Sequence, residues 1–77
     1  MNDAKRKDIT KSITEVEEAH SIIEDVAAQE QECLDNMPEN LWESDRYQNM
    51  EETVSDLEDI QGELEDIASR LYEIINK

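Results

Sequence analysis

"DNMPENLWESDRYQNME", Asp35 to Glu51, is the stretch that decides the fold, because it breaks an otherwise continuous helical pattern and holds the only Pro, the only Trp and one of two Tyr residues. Pro38 crowds the backbone of the residue before it and disfavours a helical conformation at Met37, so a first helix should end around Asp35 to Met37. Asp45 followed three residues later by Gln48 resembles a capping box with Asp in the cap role, which starts a second helix near Arg46. The expected division is a first helix over about 3–36, a turn over about 37–44 and a second helix over about 45–76, all within a single 1–77 domain. Each helix is then roughly 45 Å long at 1.5 Å per residue. Equal lengths and a short linker predict an antiparallel hairpin.

Outward from the turn, both arms repeat apolar residues in alternating steps of three and four. The first arm has Ile9, Ile13, Val16, Ile23, Ala27, Leu34 and Met37, with His20 and Glu30 filling two seam sites. The second has Tyr47, Met50, Val54, Leu57, Leu64, Ala68, Leu71 and Ile75, with Gln61 filling one. Pairing the seams about the turn places residues opposite when their numbers sum to about 84, so Leu34 meets Met50, Ala27 meets Leu57, Val16 meets Ala68 and Ile13 meets Leu71. His20 then faces Leu64 and Gln61 faces Ile23, a polar layer expected to fix the register at some cost in stability. An extra apolar row runs beside each seam: Ala19, Val26 and Cys33 in the first arm, Ile60, Ile67 and Ile74 in the second. A stripe wider than a two-stranded seam asks for more neighbours, so the expected fold is an all-α two-helix hairpin, coiled-coil-like, that dimerises into a four-helix bundle through Ile60, Ile67 and Ile74.

Charge bounds the partners. The chain of 77 residues has 22 Asp and Glu against 7 Lys and Arg, a formal net charge of -15. No basic residue lies between Lys11 and Arg46, nor between Arg46 and Arg70. Ordinary surface helices intersperse Lys with Glu to gain ion pairs four residues apart. This chain forgoes them and presents Glu51, Glu52, Asp56, Glu58, Asp59, Glu63, Glu65 and Asp66 along the second arm. Such a surface repels nucleic acid and anionic membranes and attracts basic protein surfaces. The heptads argue against disorder as the meaning of the acidity.

Chemistry-bearing patterns are few. Glu17 and His20 have the Glu-x-x-His spacing of di-iron bundles, but the second arm supplies no inward carboxylate at that height, so a structural histidine is expected. "DLEDIQGELED", Asp56 to Asp66, fails as a calcium loop, because counting back from Gly62 puts Leu57 at the first ligand position. Cys33 and His20, the only thiol and the only imidazole, stand roughly 20 Å apart along one helix and cannot form a nucleophilic pair. A lone cysteine suits a reducing cytoplasm, "MNDAKRKDIT" has no apolar run of a signal peptide, and no segment approaches a membrane span. No enzyme activity, cofactor or metal is therefore expected, and the expected location is cytoplasmic.

"NMPENLWESDRYQNME" followed by "LEDIQGELEDI" resembles small acidic helical-hairpin proteins of bacteria and their phages that share an Asn-Met/Leu-Pro-Glu-Asn-Leu turn. The resemblance covers the turn and second arm, about half the chain, and Trp42 departs from the Gln usual after that Leu. It implies a hairpin and a phage or mobile-element origin, which would put the protein in the host cytoplasm. It transfers no activity and no site residues.

Two surfaces are left as candidates for function. The acidic rows predict a non-enzymatic module that binds the basic surface of a host nuclease or other nucleic-acid-binding enzyme, a DNA mimic of anti-CRISPR or anti-restriction type. The tip, with Trp42, is either a recognition surface or, with Leu41 and Met37, a cap closing the end of the core; Leu41 itself is expected to cap in either case. A structural homodimer with no inhibitory role is the alternative. A third is a sponge for a small signalling nucleotide, for which Lys5, Arg6, Lys7 and Lys11 are the only cationic cluster.

Overall fold

The computed structural model describes Met1–Lys77 as two long helices, α1 (Asp3–Asp35) and α2 (Asp45–Ile75), joined through one turn of 3-10 helix (Glu39–Leu41). No strand is present, and α1 and α2 pack on each other as an antiparallel hairpin. The helix bounds fall within one residue of those expected from Pro38 and the heptads. No helix is long and apolar enough to cross a membrane.

The helices begin on side-chain caps. Asn2 is extended, and its side-chain oxygen accepts from the Lys5 amide at 2.8 Å, satisfying one of the free N–H groups of the first turn of α1. At α2 the cap is Ser44, not Asp45. Ser44 is extended at φ -72° and ψ 153°, and its Oγ accepts from the Tyr47 amide at 3.2 Å. The same hydroxyl donates to the Leu41 carbonyl at 2.6 Å, which ties the 3-10 turn to the start of α2. Asp45 becomes the first helical residue, where its carboxylate faces the positive end of the helix dipole. The residue three beyond the cap is Tyr47, so no capping box closes here.

Packing confirms the register drawn from the seams. Val16, Glu17 and His20 share a groove with Leu64, Glu65, Ala68 and Ser69. The core itself is thin: Ile13, Ala27, Leu34 and Val54 are the only buried residues, and the other apolar seam positions are half-buried. A rod measuring 60 × 14 × 14 Å cannot do more, since each helix has one neighbour.

Two expectations about the seam are corrected. His20 lies beside Leu64 as expected, but it and Gln61 are half-buried rather than a closed polar layer, and His20 puts its Nε2 3.0 Å from Glu65 Oε1 at the flank of the seam. A two-helix seam is open on both sides, so a side chain long enough to reach solvent does so. Leu41 does not close the core either; it is 43% exposed and borders an open groove with Met37 and Met50.

The cap assignment predicts that Ser44→Ala lowers unfolding free energy by about 1 kcal/mol, while Asp45→Asn costs only about 0.5 kcal/mol, since it removes a dipole interaction and no hydrogen bond. Urea unfolding followed by circular dichroism distinguishes the two.

Candidate functional site

An antiparallel pair has a geometric consequence for its flanks. Seen from one end, residues advance clockwise on one helix and anticlockwise on the other, so rows with the same offset from the seam project to the same side. The row one residue before the core positions therefore joins Ala19, Val26 and Cys33 of α1 to Ile60, Ile67 and Ile74 of α2 on a single side of the rod. Val26, Ile60 and Ile67 are exposed there, and Ile22, next to this row on α1, is the most exposed large hydrophobic residue at 62%.

The opposite side is acidic. It joins Glu17 and Glu24 of α1 to Glu51, Glu58 and Glu65 of α2, with Tyr72 at its end. Two cross-helix bonds mark that side: His20 Nε2 with Glu65 Oε1 at 3.0 Å, and the Tyr72 hydroxyl donating to Glu17 Oε1 at 3.3 Å. Since a carboxylate only accepts, the His20 bond requires the proton on Nε2. Glu17 and His20 thus each engage α2 separately.

The eight carboxylates anticipated on α2 are all exposed but do not share one face. Glu51, Glu58 and Glu65 line the acidic side; Glu52, Asp59 and Asp66 lie on the outer back of α2; Asp56 and Glu63 border the apolar side. On α1 the back carries Glu18, Asp25 and Glu32. Negative charge therefore wraps three sides of the rod, leaving the Ile60, Ile67 and Ile74 side bare.

Cations are sorted along the length. Lys5, Arg6, Lys7 and Lys11 at the start of α1, with Arg70 and Lys77 near the end of α2, occupy the open half of the hairpin, and Arg46 alone lies near the tip. Lys5, Arg6, Lys7 and Lys11 spread over more than half the circumference of α1 and do not converge on one pocket. The shallow hollow at this end is lined by Asp3, Arg6, Lys7 and Thr10.

At the tip, Trp42 braces the turn. Its indole N–H donates to the Met37 carbonyl at 2.8 Å, and its ring lies 6.3 Å from that of Tyr47. The residue remains 47% exposed. Beside it an open groove of about 760 Å³ runs between Cys33, Met37, Pro38, Leu41, Arg46 and Met50.

Ser44, Glu65 as the partner of His20, and the Glu17–Tyr72 bond were not anticipated. The last two had a signal: Glu65 and Tyr72 occupy the same heptad row and flank the seam at the heights of His20 and Glu17. No protein-family model, curated protein sequence or solved structure matches the chain.

The Tyr72 hydroxyl is held above its ordinary 10.0, first by the negative charge of Glu17, then by desolvation and by its hydrogen bond to the same carboxylate. A raised folded-state value favours the protonated phenol. The stabilisation it brings is complete below about pH 10 and is lost as pH rises through the folded-state value. In a Tyr47→Phe background, alkaline titration of tyrosinate absorbance should give a midpoint above 10.0, moving down on Glu17→Gln; indifference to that substitution would contradict the assignment.

Proposed function

We propose that this protein is a non-enzymatic, acidic protein-binding module, encoded by a phage or mobile element, that inhibits a host nucleic-acid-binding enzyme by occupying its basic groove in place of DNA. The observation that carries the reading is the unbroken run of exposed carboxylates on three sides of the rod, with no basic residue between Arg46 and Arg70. Helices that served only solubility would gain from interspersed Lys, which these lack. The rod spreads a net -15 over 60 Å, roughly one charge per 4 Å against one per about 1.7 Å in duplex DNA. Partner recognition works through the summed field of Glu51, Glu58, Glu65, Glu52, Asp59 and Asp66 rather than through any single contact, and binding displaces anions from the basic groove as DNA does. The protein itself avoids direct contact with nucleic acid and membranes for the same electrostatic reason.

The tip is the competing location for the interface. Trp42 spends its one hydrogen-bond donor on the Met37 carbonyl, which supports a bracing role, yet half of its surface remains available to a partner.

Pull-down from host lysate at low and high salt should recover a nuclease or related enzyme only at low salt. With that partner in hand, single Glu→Gln changes at Glu51, Glu58 or Glu65 should weaken binding slightly, and neutralising four or five together should abolish it. A tip-driven interface predicts the reverse: Trp42→Ala alone costs about 2 kcal/mol or more and salt matters little. Binding that survives charge removal but not Trp42→Ala would overturn the DNA-mimic reading.

A further inference from the structure

We infer that the side bearing Ala19, Ile22, Val26, Ile60, Ile67 and Ile74 is covered by a second copy of this chain laid tip to base, giving a four-helix bundle in which α1 packs antiparallel on the partner's α1 and α2 on the partner's α2. The inference goes beyond the partner reading above and stands without it.

The surface area asks for such a cover. The chain exposes 5884 Å², whereas a compact monomer of 9.0 kDa exposes about 4,850 Å² by the usual scaling with mass. The surplus of about 1,000 Å² per chain matches the roughly 800 Å² that each partner buries in a standard stable interface. With only Ile13, Ala27, Leu34 and Val54 buried, the hairpin lacks a core that would hold it folded while waiting for a foreign protein. A second copy is the occupant always present, and a self-complementary patch is what a twofold interface requires.

The pattern also selects the orientation. In the observed register Ile74 stands level with Thr10, so the apolar row runs from there to Cys33 and its midpoint falls at Ile22. A twofold axis at that height, perpendicular to the rod, brings Ile22 against the partner's Ile22 and Ala19 beside the partner's Val26, with Ile60 and the partner's Ile67 within one helical turn of each other. The most exposed isoleucine thereby gains an apolar neighbour. The cationic start of α1 comes level with the acidic tip half of the other chain, with Lys5, which continues the Ala19, Val26 and Cys33 row, nearest the partner's Glu39. Placing both tips at the same end instead stacks the two cationic ends together and sets Ile22 against the partner's Glu63. Opposite charge favours the first arrangement and like charge penalises the second. The bundle carries twice the single-chain -15 over the same 60 Å, about one charge per 2 Å, close to the roughly 1.7 Å spacing of duplex DNA.

Light scattering at tens of micromolar should return twice the chain mass; a monomer overturns the inference. Orientation is read with nitroxide labels on the outer back, using Glu32→Cys in a Cys33→Ser background. Tip-to-base packing separates the two labels by about 30 Å along the axis, from 1.5 Å per residue. Packing with both tips at one end leaves only the width of the bundle, near 20 Å at helix spacings of 8–10 Å. A distance distribution centred near the shorter value overturns the orientation. In the same Cys33→Ser background, Ile22→Cys should oxidise to a covalent dimer with the helical circular dichroism retained, and failure to cross-link while the mass remains dimeric also counts against it.

Discussion

The antiparallel sense of α1 and α2 is the constraint on which the rest depends. It is imposed by a turn of nine residues, Asn36 to Ser44, too short to let the second helix run parallel to the first. Once the sense is set, each flanking row of α1 must share a side with the row of equal offset on α2. An apolar side, an acidic side and two acidic backs follow from that reversal, and from nothing else in the molecule.

The turn is held by local bonds rather than by burial. Ser44 closes on Leu41 and Tyr47, and the Trp42 indole closes on Met37, so the reversal is built from hydrogen bonds between residues at most five apart. The seam then adds a thin core of four buried residues. Cross-helix polar bonds are confined to His20 with Glu65 and Tyr72 with Glu17, both on the acidic side. There they draw two carboxylates into local bonds, while the other acidic residues of that side face solvent as a row of like charge.

Like charge and uncovered isoleucines pull in different directions. Repulsion among carboxylates on the backs and the acidic side opposes compaction, while the Ile60, Ile67 and Ile74 row exposes apolar surface that water disfavours. Sorting the two onto separate sides lets one be covered while the other stays available.

The heptads of Ile9 to Met37 and Tyr47 to Ile75, together with Pro38, were sufficient to read two helices, their ends to within a residue, the hairpin and the pairing of Val16 with Ala68. These are matters of period and local backbone sterics, and a linear chain displays both. The sequence also showed that carboxylates would be exposed along α2, because charge avoids the seam. It could not say that Ser44 rather than Asp45 caps α2, since either oxygen suits the role and only the backbone angles at the 3-10 turn choose between them. Nor could it show that His20 bonds to Glu65 at the flank of the seam, that Leu41 remains 43% exposed, or that eight carboxylates divide among three rows. Those outcomes depend on which sides of two helices coincide and on how much room an open seam leaves. Such distances between residues far apart in the chain exist only after α1 and α2 have packed.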